Sequence, residues 1–134
     1  MRETGRSGCP INLALEVFGD RWSLLILRDM IFAGKRTFNQ LLDSDEGIAT
    51  NVLRDRLNSL VDRGLLTKSE DPERKGRTRY ALTERAITLV PVLVHLGHWG
   101  ERWQSADPDL RRMNRRLFRG GPALWEKIMD ELRA

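Results

Sequence analysis

The chain has one cysteine, Cys9, among its 134 residues. One cysteine cannot close an internal disulfide, so an oxidising compartment is neither needed nor indicated. Histidine is almost as scarce. His95 and His98, three residues apart, could be combined with Cys9 as ligands, but no CxxC or HExxH spacing surrounds them, and no metal is expected. No glycine-rich phosphate loop or nucleophile elbow occurs, and neither histidine has an evident carboxylate partner, so the expectation is no enzyme and no cofactor. Long apolar runs are also lacking. The two longest, 24–27 and 89–96, are interrupted or ended by Arg28, Pro91 and His95, well short of the roughly 20 residues that a membrane span requires. No charged start leads into an apolar signal core. The default is a soluble cytoplasmic protein with no membrane partner.

What remains is a charged chain of one-domain length. Hydrophobic residues make up 40%, enough for a core, and charged residues 31%, with a net charge of +4. A basic balance favours a polyanionic partner, and the placement of the charges must carry that argument.

Residues 1–8 (MRETGRSG) are polar and read as a flexible tail. Ile11, Ala14, Leu15 and Phe18 form one helical stripe, ended by Gly19. Asp20 caps a second helix over 21–32 that is apolar nearly all round, which puts it, with Trp22, at the centre of a core; Gly34 closes it. Thr37 and Gln40 form a capping box for a short helix ending at Leu42. After an acidic turn over 43–47, a helix over 50–63 buries Leu53, Leu57, Leu60 and Val61, with Gly64 just past its end. The period then changes. Residues 65–69 and 78–82 read as two strands joined by a charged, turn-rich loop. Thr83 caps a long helix to about Trp103, which Pro91 kinks or breaks; Pro108 marks a boundary, and 124–133 form a last helix.

Three helices, a tight turn before the third and a following hairpin make a mainly α fold with a small β-hairpin, a winged helix-turn-helix. Near the start of the projecting helix, Thr50, Asn51, Arg54 and Arg56 lie off the leucine stripe, where Thr and Asn can bond bases or phosphates and Arg can read guanine. Asp55 on the same side opposes phosphate, unless it pairs with a neighbouring Arg or accepts from cytosine. A solvated helix face explains these residues equally well when they stand alone. The loop shifts the balance. Its basic residues concentrate distally, at Arg74, Lys75, Arg77 and Arg79, where they can lie over a phosphate backbone or enter a minor groove. Arg36, Thr37 and Asn39, at the first helix of the pair, join the expected DNA-facing set. The expected partner is double-stranded DNA; the alternative is a winged-helix protein-interaction module with a solvated loop. Arginines at 111, 112, 115, 116 and 119 form a further basic patch, read as solvated surface or as an extension of the DNA footprint.

Cys9-Pro10, Gly19-Asp20-Arg21-Trp22-Ser23-Leu24-Leu25-Ile26-Leu27-Arg28, Arg36-Thr37-Phe38-Asn39-Gln40-Leu41, Val52-Leu53-x-x-Arg56-Leu57, Leu60-x-x-x-Gly64-Leu65 and Tyr80-x-Leu82-Thr83-Glu84 together resemble the HxlR family of winged-helix regulators over 9–103. The resemblance implies a DNA-binding transcription regulator acting as a homodimer on a palindromic operator, with terminal helices forming much of the dimer contact. Ile11, Leu15, Phe18, Leu93, Leu96, Trp99 and Trp103 are the corresponding interface residues here. An aromatic pair such as Trp99 and Trp103 is interface core or the lining of a ligand pocket between subunits. Some family members are similar to redox sensors through a cysteine at the position of Cys9, which is therefore the candidate redox switch, against an inert thiol or a packing residue. A small-molecule effector is the other candidate signal. The wing tip departs from the more apolar tips of the family, and residues 104–134 form a C-terminal helical extension beyond the shared region.

Overall fold

The computed structural model describes residues 6–134, so residues 1–5 of the expected tail lie outside the described residues. By its internal contacts the chain divides into one unit ending at Thr83 and a second beginning at Glu84. The helices on either side of residue 103 belong to the second of these units.

In the first unit, α1 (Pro10–Phe18) ends at Gly19. Asp20 then reaches forward. Its Oδ1 accepts from the backbone N–H groups of Trp22 at 2.7 Å and Ser23 at 2.8 Å, the two donors that an N-cap satisfies, and its Oδ2 accepts from the Ser23 hydroxyl at 2.5 Å. The regular ladder of α2 (Ser23–Ala33) starts two residues later than the cap predicts, and Gly34 closes it with a left-handed φ of 69°. The helix is less uniformly apolar in its environment than in its sequence: Ile26, Leu27, Met30 and Ile31 are buried together with Ser23 and Asp29. Trp22 is only half-buried, with the Arg21 guanidinium 5.8 Å above its ring, so it is not the core residue expected.

Thr37 and Gln40 form both halves of the capping box that opens α3 (Phe38–Leu42). Helix α4 (Thr50–Asp62) buries Leu53, Leu57 and Leu60; Val61 is half-buried. Its end is a Schellman motif. Gly64, at φ 81°, donates to the Val61 carbonyl at 3.0 Å, and Leu65 donates to that of Leu60 at 2.9 Å. This turns the chain directly into β1 (Leu66–Glu70), which pairs antiparallel with β2 (Thr78–Leu82) in the register Leu66 to Leu82. Leu65, Leu66 and Tyr80 face the leucines of the core, and Tyr80 donates its backbone N–H to the Arg36 carbonyl at 2.7 Å, tying the hairpin to the segment before α3.

In the second unit the long helix is broken rather than kinked. Helix α5 (Glu84–Ile87) stops before α6 (Val90–Trp103), and Pro91 sits in the first turn of α6, where its missing N–H costs nothing. Helix α7 (Pro108–Arg133) spans most of the C-terminal helical extension expected over 104–134, of which only 124–133 had been placed as a specific helix. Asp107 caps it, accepting from Asp109 and Leu110 at 3.1 Å each, and a sharp bend at Gly121 (φ 69°, ψ −170°) divides it. Trp125 Nε1 donates across that bend to the Leu117 carbonyl at 2.8 Å. Helices α6 and α7 pack closely: a Cβ at Gly97 would run into the Asn114 side chain. Arg133 closes the unit by a two-pronged bond to Glu84 at 2.8 and 2.9 Å. No helix among the described residues is long and apolar enough to cross a membrane.

Candidate nucleic-acid interface

The leucine face of α4 points into the core, so its other face is presented outward. Thr50, Asn51 and Arg54 are exposed on it, spaced i, i+1 and i+4. Arg54 has no carboxylate partner among the described residues. Its guanidinium lies 5.1 Å from the centre of the Phe38 ring, a cation–π seat that limits its wandering without neutralising it. Burial pushes the Tyr80 phenol above its ordinary pKa, and the nearby Arg54 charge offsets only part of that rise.

Arg56 departs from the expectation. It is half-buried, with Nε 3.5 Å from Asp20 and a terminal nitrogen 3.3 Å from Asp55. Burial pushes the Asp20 carboxyl up, but the Ser23 hydroxyl, the Trp22 and Ser23 backbone N–H groups and the Arg56 charge outweigh it, leaving Asp20 below the ordinary carboxylate value. Arg56 therefore braces the α2 start against α4 instead of projecting. Thr37 is corrected too: it is buried and its hydroxyl accepts from Gln40 N–H at 3.3 Å, so the cap occupies it. Arg36 is half-buried and donates to the Met30 and Lys35 carbonyls at 2.7 and 2.8 Å. Burial, then the neighbouring Arg79 charge, lowers its pKa. Asn39 is exposed as expected.

In the wing, Arg74, Lys75 and Arg79 are exposed and have no acidic partner among the described residues. Arg77 is different. Two of its nitrogens lie 2.6 Å from Asp71 Oδ2, and Asp71 is buried. Asp71 also accepts from Glu73 N–H at 2.9 Å, and its own N–H donates to the Arg77 carbonyl at 2.7 Å. The Glu73 N–H above all, then Arg77, holds the Asp71 carboxyl below its ordinary value. This ring of bonds shapes the tip through which Gly76 passes at φ 84°. Sequence reasoning took Arg77 for a DNA contact and missed Asp71 as its anchor. It left out of the DNA-facing set Lys68 on β1, which is exposed and has no acidic partner among the described residues, and it missed the clamp in which Arg28 bonds Glu46 twice at 2.8 Å and Asp29 at 2.8 Å, fixing the acidic turn before α4 to α2.

Cys9 is exposed at the start of α1, where the N–H groups of Asn12, then Ile11, lower its thiol pKa. Of the expected interface residues, Ile11, Leu15, Leu96, Trp99 and Trp103 are exposed, Trp103 by 64%, while Phe18 and Leu93 are half-buried. Val92, Leu110 and Met113 are further exposed apolar side chains that the sequence reading did not include. The described residues hold no group of three or more His, Cys, Asp or Glu placed to bind a metal ion.

A family model described as HxlR-like helix-turn-helix matches residues 17–108. The helix-turn-helix-type transcriptional regulator sll1512 of Synechocystis is 37% identical over 101 residues, covering 75% of this chain and 73% of its own. The regulator Rv3095 of Mycobacterium tuberculosis is 41% identical over 99 residues, covering 72% of this chain and 60% of its own. Among solved structures, PA1607 superposes with a TM-score of 0.69 at 36% identity, covering 77% of this chain and 70% of its own. The redox regulator HypR in its oxidised form superposes with a TM-score of 0.62 at 26% identity, covering 73% of this chain and all of its own.

Proposed function

This chain belongs to the HxlR-like helix-turn-helix family and is a DNA-binding transcription regulator, and from that premise we propose that it binds a palindromic operator as a homodimer. Helix α4 enters the major groove and reads bases with Thr50, Asn51 and Arg54, while Arg74, Lys75 and Arg79 of the wing hold the phosphate backbone or the adjacent minor groove. Asn39 and Arg36 assist at the edge of α3. The observation that carries this reading is the segregation of arginines. Arg54 on α4 and Arg74 and Arg79 on the wing lack acidic partners among the described residues, whereas Arg28, Arg56 and Arg77 are each spent on a carboxylate. These uncompensated guanidiniums lie on the helix and the hairpin that a winged helix turns toward DNA.

Dimerisation is supported by the apolar residues left exposed on the terminal helices, Ile11 and Leu15 on α1 and Leu96, Trp99 and Trp103 on α6. Two copies related by a twofold axis would set two α4 helices about 34 Å apart, one turn of DNA.

Cys9 is the proposed switch. Its exposure and its place against free helix N–H groups favour the thiolate, and the similar HypR is a redox regulator whose structure is known in an oxidised form. The test is binding of the full chain to its own upstream DNA and to scrambled DNA, at two salt concentrations, with and without a thiol oxidant. Specific binding that oxidant abolishes in the native protein and spares in Cys9→Ser is the expected result. Specific binding indifferent to oxidant removes Cys9 as the switch. If neither upstream DNA nor any sequence recovered by random selection is preferred, operator binding itself fails.

A further inference from the structure

The arginines of the second unit make a concave site, and we propose that it binds a small carboxylate carried on an aromatic ring. Between α6 and the first half of α7 lies a cleft of about 570 Å³, within the size range of small-molecule sites, roughly 300–1,000 Å³. Arg102, Arg111, Arg115 and Arg119 line it, against a single acid, Glu101. That acid is already engaged, since its carboxylate accepts from Arg115 Nε at 2.5 Å and its side chain is only 8% exposed. Arg102, Arg111 and Arg119 are left without a carboxylate partner among the described residues. Arg111 is the most telling. One terminal nitrogen makes a long bond of 3.4 Å to the Ala106 carbonyl, and its Nε is buried with no acceptor at all. A buried guanidinium donor left unmatched is costly, and an anion in the cleft would offer the missing acceptor.

The lining also contains His98 and Phe118, stacked with ring centres 3.7 Å apart and planes 5° from parallel. Trp125 and His95 flank Phe118 at 6.3 and 5.7 Å, so the pair is held rigidly. Fixed aromatic edges beside three uncompensated guanidiniums suit a ligand that is apolar and flat at one end and anionic at the other. Guanidinium forks match the planar carboxylate in two bonds, which favours that group over a spherical anion. All of these residues lie between His95 and Trp125, so the site stands independently of the DNA-facing residues, which end at Arg79.

The test is calorimetric titration of the full-length protein, without DNA, with benzoate and phthalate, and with acetate and inorganic phosphate as ring-free anions. The ring acids are expected to bind with a Kd on the order of a millimolar or below, at least about tenfold tighter than acetate or phosphate. Arg119→Gln, an exposed substitution that leaves the fold's melting temperature unchanged, should weaken phthalate about tenfold, and Phe118→Leu should weaken benzoate while leaving phosphate unchanged. Equal affinity for ring acids and ring-free anions would overturn the proposal, as would phthalate binding untouched by Arg119→Gln. Absence of ring-acid binding, with Arg119→Gln instead lowering affinity for DNA, would overturn it in favour of an extended DNA footprint.

Discussion

Arg54 and Arg56 stand two residues apart on α4, look equivalent in the sequence, and should behave oppositely when each is changed to alanine. Arg54 is exposed, seated 5.1 Å over Phe38 and without a carboxylate partner among the described residues; Arg56 is half-buried between Asp20 and Asp55. A guanidinium bonded to a base edge is worth about 1–3 kcal/mol of discrimination. A twofold operator reads it twice, so Arg54→Ala should cost the dimer about 2–6 kcal/mol, or roughly 30-fold to more than 10⁴-fold in affinity. Base preference should relax at one position per half-site. Arg56→Ala removes a partly exposed ion pair, worth about 0.2–1 kcal/mol after solvent screening. At this chain length that lowers the melting temperature by about 1–4 °C, while affinity changes by about twofold at most. Fluorescence anisotropy on labelled operator, with single-base variants and a salt series, measures the first effect, and a circular dichroism melt measures the second. Equal affinity losses in the two variants, with the Arg56→Ala melt unchanged, would refute the assignment of one arginine outward and the other inward.

The wing repeats this contrast in salt dependence. Arg79→Ala should lower the log–log salt slope by about 1.8 for a dimer that loses two phosphate contacts, whereas Arg77→Ala should lower it by less than half as much and increase proteolytic cleavage of the tip, because it leaves buried Asp71 without its cation. Equal slopes for the two variants count against Asp71 as an anchor. Leu96→Glu or Trp103→Glu should convert the sedimenting species to a monomer with an unchanged circular dichroism spectrum and cost operator affinity; a dimer that survives both removes α6 from the interface. Asp20 and Glu46, the latter held down by its hydrogen bond from Arg28, both titrate below the ordinary carboxylate range. A depressed carboxyl contributes fully above its unfolded value and loses that contribution as pH falls through its folded one, so stability should decline from about pH 4 downward. Asp20→Asn should flatten part of that acid limb in urea titrations, and an unchanged limb would mean that Asp20 is not among the carboxyls responsible.

Most of the fold was readable because its punctuation is local. Gly19, Gly34 and Gly64 stop helices where they should, and Thr37 with Gln40 starts one, since each acts through backbone bonds within a few residues. The second strand was placed to the residue, and the break before Pro91 follows from the missing N–H. Trp22 failed for a physical reason: an apolar helix needs only part of its circumference inside, and no local pattern says which part. The front of α7 was expected to be helical, but its start was not placed. Asp107-Pro108 is a start signal, and Leu110, Met113 and Leu117 recur at helical spacing, but five arginines between 111 and 119 obscured that stripe. Gly121-Pro122 was the mark of its bend.

The site was legible as a set of positions and illegible as a set of roles. Composition places arginines on an exposed helix face or in a loop, but what each does depends on an acid that the fold brings near. Besides its sequence neighbour Asp55, Arg56 meets Asp20, 36 residues earlier, and besides Asp29, Arg28 meets Glu46, 18 residues later. Asp55 beside Arg56, and Asp71 with Arg77 in one turn-rich loop, lay close enough in the sequence for their pairing to be suspected. The C-terminal arginines carry the same lesson with one clue in the sequence. Arg111, Arg115 and Arg119 recur every fourth residue, on one helix face, and those three line the cleft, while Arg112 and Arg116 do not; Arg112 pairs with Asp109. Helical spacing alone could have divided the basic patch into two sets. What it could not supply was the opposing surface, His98, Glu101 and Arg102 on α6, without which three arginines in line are a solvated stripe and with which they become the wall of a site.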